Sequence, residues 1–308
     1  MAGLLDFITE TAKKQYAKGA PYREAVTGLL QGDTSKANTL LDRGIENLRT
    51  PEGAMDVALN FSPMMLGTFI GKNSKLWNSS KADIAQQLEK AGVAPEEIWK
   101  QTGTVRGVDG KLRQEISDVG SKMIKKPTLD VLKKNPEMSS IMEHPELYSA
   151  YDNLSSAKVV PSYESQGFYR MEDNSIGLSP MNESANWQMK MYKDAKKKTL
   201  LHEGQHAIQE KEGFAKGGSP EGMRDVALDM LRRDVASGEI GSINQAMDML
   251  PMAQQNAYKR LAGEAESRLT EARRDLNSAQ RLQYFPYSQG QYGLDVPYES
   301  LIVRGLLE

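Results

Sequence analysis

Apolar positions along this chain of 308 residues recur mostly at spacings of three and four, the period of an amphipathic helix, with a few short alternating runs between them. Leu4, Leu5 and Ile8 share one face, and Ala25, Leu29 and Leu30 continue a second after the turn at Gly19-Ala20-Pro21, so residues 1 to 50 read as short helices. Residues 54 to 70 are the most apolar stretch. Asp56, Asn60 and Pro63 interrupt it, and its unbroken lengths fall well short of the roughly 20 residues that span a bilayer; a buried or partner-covered hairpin is expected there.

From Ser80 the punctuation becomes that of a folded domain. Lys81 to Ala91 reads as a helix stopped by Gly92, and Pro95 to Gln101 as another ending in Thr102-Gly103. Asp109-Gly110, between Thr104 to Gly107 and Lys111 to Ile116, predicts a hairpin. Helical turns follow around Leu129 to Lys133 and Met138 to Met142, and Pro145 opens a short helix leading to Leu154. Lys158-Val159-Val160 reads as a strand. Gly167 to Arg170 and Ser175 to Ser179 form a second hairpin across Glu172-Asp173-Asn174. Beyond a helix that ends at Glu212-Gly213-Phe214 and a loop over Lys216 to Pro220, helices are predicted near Glu221 to Ala236 and Ser242 to Met249. A long one runs from about Ala253 to Gln283, with an apolar stripe at Tyr258, Leu261, Ala265, Leu269, Ala272, Leu276 and Ala279. The pattern is that of an α+β protein, mostly helical, with small antiparallel hairpins. A helical arm over residues 1–75 precedes a domain over residues 76–308.

The chemistry concentrates in one helical run, Thr199 to Gln209, which contains His202-Glu203-Gly204-Gln205-His206. Histidines four apart stand one turn apart, roughly 40° around the axis, so both imidazoles reach one ion while Glu203 flanks them. Tetrahedral zinc takes two such nitrogens, a third protein ligand and a water that an adjacent carboxylate deprotonates. Leu200, Leu201, Gly204, Ala207 and Ile208 fall on the opposite side, so the helix buries its back and turns the histidines to a cleft. Gly204 is discordant, costing about 1 kcal/mol of helix propensity; its missing side chain is expected to admit another backbone. The strand just upstream, Ile176 to Ser179, is expected at the sheet edge along the cleft rim.

Composition narrows the alternatives. The chain has no cysteine and 3 histidines, which excludes disulfides, thiolate ligands and a cysteine nucleophile and leaves imidazole and carboxylate to hold zinc. A net charge of -2 and a pI near 6.1 give no nucleic-acid footprint, and Lys193 to Lys198 reads as a solvated helix start. Met1 to Phe7 lacks the basic and apolar regions of a signal peptide. The third ligand is expected on a later helix, where Glu264 and Glu266 flank the apolar stripe about equally and periodicity does not choose between them. Tyr258, Tyr284, Tyr287 and Tyr292 have the chemistry of an oxyanion helper, although tyrosines in such number serve mostly in packing. His144, ahead of Pro145, reads first as a helix N-terminal residue.

At these positions the chain resembles the metallopeptidase-like domain found in the large polyvalent proteins of tailed bacteriophages and related mobile elements. The resemblance covers roughly residues 80 to 305. Asp109-Gly110-Lys111 with Glu115-Ile116 and Asp118 carry it, as do His144-Pro145-Glu146-Leu147 with Ala150-Tyr151, Leu200 to Gln209, Glu212 to Gly218, Ala262 to Arg268, and Asp295-Val296-Pro297. It implies a zincin-like fold with one zinc held by His202, His206 and the first glutamate of Gly-Glu-x-Glu, Glu264. Glu203 is then the general base, and Glu266 an outer group or a partner of Arg268. The family usually has a larger residue at Gly204 and alanine at Ser267. Peptide-bond hydrolysis is implied, on a protein or peptide substrate, in the virion or the infected bacterial cytoplasm. The competing reading is a catalytically silent zincin scaffold whose N-terminal helices dock on virion or host proteins.

Overall fold

The chain divides into two compact units, Met1–Met64 with Gln86–Val93, and Met65–Ala85 with Ala94–Glu308. The computed structural model describes residues 67–163 and 167–303. Of the first unit this covers the end of helix α1 (Ser79–Lys90) and its cap, where Gly92 and Val93 donate to the Glu89 and Leu88 carbonyls at 3.0 Å. The helices expected over residues 1 to 50 and all but the last four residues of the apolar 54–70 run lie outside the described residues.

In the second unit, turn chemistry builds the first sheet. Its strands are β1 (Thr68–Ile70), β2 (Thr104–Arg106) and β3 (Leu112–Ile116), in the order β1-β3-β2, all antiparallel. Gly110 takes φ 77° and Asp109 Oδ1 accepts the Lys111 N–H at 3.1 Å, which reverses the chain between β2 and β3 as predicted. Helix α2 (Pro95–Thr102) leads into β2, with the Trp99 indole N–H donating to the Arg281 carbonyl at 2.8 Å. β1 precedes the boundary expected at residue 75, yet Thr68 pairs with Ile116 and Ile70 with Gln114. The sheet therefore takes its first strand from the stretch assigned to the arm.

A short ladder joins β4 (Lys122–Met123) to β5 (Met142–Glu143) around α3 (Leu129–Leu132), and α4 (Pro145–Ala150) and α5 (Asp152–Ser155) follow. His144 caps α4 by accepting the Leu147 N–H on Nδ1 at 3.2 Å, and its Nε2 lies 2.7 Å from Asp118 Oδ1. The second three-stranded sheet has the order β6-β8-β7, from Lys158–Pro161, Ser175–Leu178 and Phe168–Arg170. β7 and β8 are the expected antiparallel hairpin, but β6 runs parallel to β8. β8 is consequently the buried central strand and not the expected edge; β7 is the edge that follows Gly167.

Helix α6 (Lys190–Glu212) lays its back on this sheet, and Leu200, Leu201, Ala207 and Ile208 join Ile176 and Leu178 in the main core. Gly213, at φ 63°, ends the helix by donating to the Glu210 carbonyl. Helices α7 (Arg224–Ser237) and α8 (Ile243–Lys259) form a hairpin with its own cluster of Ala227, Leu231, Ala246, Leu250 and Ala253. α8 runs ten residues past the expected end at Met249, tolerating Pro251 at the loss of one backbone rung.

The single long helix expected over 253–283 is three pieces: the end of α8, α9 (Ala262–Arg273) and α10 (Ser278–Gln283). The chain breaks at Arg260-Leu261 because a distant segment takes over its backbone bonds. Ile302 donates to the Arg260 carbonyl at 2.8 Å, and Ala262 donates to the Ile302 carbonyl at 2.9 Å. The second break is set by Asn277, whose side chain and that of Gln280 form a reciprocal capping box at the start of α10.

Candidate metal centre

The two histidines of α6 face the first turn of α9. His202 Nε2 lies 3.6 Å from Glu264 Oε2, and His206 Nε2 lies 3.4 Å from Glu264 Oε1. The ligating atoms of His202, His206 and Glu264 all fall within 4.8 Å of one another. Zinc bonds of about 2.0 to 2.1 Å in a tetrahedron put ligand atoms about 3.3 Å apart. The two nitrogen-to-oxygen separations are thus already near that edge length, and two imidazoles with one carboxylate are a donor set that suits zinc.

Each of the three groups is held from behind. His202 Nδ1 lies 2.7 Å from Glu271 Oε1, and Lys198 reaches Glu271 Oε2 at 2.8 Å. His206 Nδ1 lies 2.9 Å from Gln209 Oε1. Glu264 accepts the Tyr258 hydroxyl on Oε2 at 2.7 Å and the Gly218 N–H on Oε1 at 3.0 Å. The loop carrying Gly218 packs tightly on α9: a Cβ at Gly263 would stand 2.3 Å from the Lys216 carbonyl carbon, and one at Gly217 would stand 2.2 Å from Glu264 Oε1. Glycine at 263 is therefore what lets the loop backbone close over the ligand.

The electrostatics follow from this packing. Burial works to lower the His202 imidazole, but the neighbouring carboxylates of Glu264 and Glu271 outweigh it and leave the group raised to about 9. His206 is raised in the same way, against burial and chiefly by the Glu264 carboxylate beside it. Burial pushes Glu264 up, yet the two imidazoles and Tyr258 hold it far below the ordinary carboxylate range. Glu203, next to the histidines on α6, is raised by burial despite both imidazoles. Among the described residues no donor reaches its carboxylate, and Gly167, just ahead of edge strand β7, lies against it: a Cβ there would meet Glu203 Oε1 at 2.6 Å.

The second glutamate of the Gly-Glu-x-Glu element points elsewhere. Glu266 pairs with the buried Arg113 of β3 and accepts from Gln205 at 3.1 Å, while Arg268 pairs with Asp295 at 2.7 Å. The expected Glu266–Arg268 pairing is corrected accordingly. The reason is helical phase: two residues past Glu264 the side chain has rotated about 200° around α9, away from His202 and His206 and towards Gln205 and the first sheet. Of the four tyrosines, Tyr258 alone touches the ligand set. Tyr287 donates to Glu266 at 3.4 Å, and the carbonyls of Tyr284 and Tyr292 accept from Arg273 at 2.9 and 2.8 Å. Glu271 escapes the sequence reading, although its signal is present: it follows Glu264 by seven residues, two helical turns on the same face. Lys198, read as a solvated residue, precedes His202 by four.

Residues 67–124, which comprise the first sheet and its connections, match the family model described as large polyvalent protein associated domain 23. No match is found among curated proteins or among solved structures. The chain is thus similar, over its first sheet, to a domain associated with large polyvalent proteins.

Proposed function

We propose that this protein is a zinc-dependent metallopeptidase of zincin type. The observation that carries the reading is the convergence of His202, His206 and Glu264 within 4.8 Å beside the buried Glu203. A bound zinc would supply Lewis acidity and a water acidified to about neutral pH. The chain's own part is positional. His202 and His206 present Nε2, Glu264 presents its carboxylate, and Glu203 stands one residue from His202 to accept a proton and return it to a leaving amine. β7, the edge strand after Gly167, pairs only with β8 among the described residues, and its other edge suits an extended peptide beside Glu203. The match to a domain associated with large polyvalent proteins supports a bacteriophage or mobile-element setting, with action in the virion or the infected cell on phage or host proteins.

Glu203→Gln tests this. The variant is expected to keep zinc and fold while cleavage drops by about 10² to 10⁴, the contribution of a positioned general base. New peptide termini in phage and host proteins, mapped by mass spectrometry, provide the readout. Termini that form equally with both proteins, or with neither, would sink the peptidase reading in favour of a catalytically silent scaffold.

A further inference from the structure

Polar side chains alternate along the seam between α6 and α9. Lys198, His202 and His206 come from α6 at four-residue steps, and Glu271 and Glu264 come from α9 at a seven-residue step, so each carboxylate falls between two basic side chains. Lys198 Nζ lies 2.8 Å from Glu271, and Glu271 lies 2.7 Å from His202 Nδ1. His202 then faces Glu264 at 3.6 Å, and Glu264 faces His206 at 3.4 Å. His202 is the imidazole with a carboxylate at each nitrogen, and the side chains of His202 and Glu271 are only 15% and 14% exposed. A surface ion pair has no need of such burial, and Glu271 already has Lys198 to neutralise it. Its second oxygen is spent on the histidine.

We propose that Glu271 is the positioning residue of the metal centre. By accepting the Nδ1–H of His202 it selects the tautomer whose Nε2 lone pair faces Glu264 and holds the ring plane there, while Lys198 steadies Glu271 in turn. This rests on His202, His206 and Glu264 being the ligands. Groups that orient a metal-bound imidazole typically change metal affinity by about 10- to 100-fold, and they do so without touching the ion.

The test uses the full chain with zinc in competition against a chelator, and the visible spectrum of the cobalt(II)-substituted protein. Glu271→Ala should bind zinc about 10- to 100-fold more weakly and shift the cobalt bands. Glu271→Gln, which keeps an acceptor oxygen without the charge, should recover part of the loss, and Lys198→Met should show a smaller loss. A purely structural ion pair would change the melting of the metal-free protein and leave the affinity and the cobalt spectrum alone. Should the alanine variant fail to fold, wild-type zinc affinity in Glu271→Gln together with an unshifted cobalt spectrum overturns the inference. Wild-type protein that takes up no zinc would overturn this proposal together with the metallopeptidase reading. Wild-type protein that binds, alongside a Glu271→Ala variant of equal affinity and spectrum, would overturn this proposal alone.

Discussion

Gly204 lies inside the metal-binding motif, yet replacing it with alanine should make the protein more stable. It is buried in the middle of α6, and a Cβ built there meets one neighbouring atom, Met138 Cε at 3.9 Å, an ordinary van der Waals distance. Among the described residues no backbone from outside the helix approaches it, where the glycine was expected to make room for one. Alanine should therefore recover about 1 kcal/mol of helix propensity and gain up to about 0.8 kcal/mol from one more buried carbon, with no overpacking to offset. At about 2 to 4 °C per kcal/mol for a domain of 150 to 250 residues, the melting temperature should rise by about 2 to 7 °C. Zinc uptake should not change, because Gly204 is on the back of the helix. Gly263→Ala is the control of opposite sign: its Cβ would stand 2.3 Å from the Lys216 carbonyl carbon and 2.4 Å from the Gly217 nitrogen. Overpacking of that kind costs about 1 to 3 kcal/mol, more than the propensity gained, and it displaces the loop that donates to Glu264. Calorimetry of both variants with and without zinc decides the matter; shifts of the same sign would refute the reasoning from space.

The two glutamates of α9 should separate cleanly. Glu264→Ala is expected to abolish zinc binding, whereas Glu266→Ala should keep the ligand set but lose about 1.5 to 3 kcal/mol, the worth of a charged hydrogen bond, because the buried Arg113 loses Glu266 while keeping Asp109 at 2.8 Å; zinc titration and chemical denaturation of both variants check this, and a reversed ranking would move the ligand to Glu266. A chain starting at Lys75 loses β1 and the Phe69 backbone that gives and receives hydrogen bonds with Gln205 at 3.0 and 3.2 Å, so it should lose cooperative melting and zinc uptake. A chain starting at Met65 should retain both, and equal behaviour of the two would show that β1 is dispensable.

His202, Glu203 and His206 are legible from sequence because one helix sets their mutual geometry, however that helix packs. The third ligand depends on the register of α9, and that register is hidden. The apolar stripe from Tyr258 to Ala279 reads on through Arg260-Leu261 as if unbroken, whereas the break there is made by Ile302, some forty residues away. β1 is equally opaque, since three residues at the end of an apolar run carry no sign of pairing with Leu112–Ile116. The deeper difficulty is that α9 has no solvent face along its first turns: Ala262 to Ser267 are all buried. One polar row, Glu264 and Glu271, meets the histidines. Another, Glu266 and Arg273, meets Arg113 and Glu115 of β3. A reading that sends polar residues to water and apolar residues to the core treats both rows as surface. Burying such groups costs several kcal/mol each unless every one is paired. In this helix each of the four has a partner of opposite charge or an imidazole. The seven-residue repeats Glu264/Glu271 and Glu266/Arg273 are the trace that this arrangement leaves in the sequence. They become informative only once the helix is known to start at Ala262 and to be buried on both sides, and that knowledge comes from the fold.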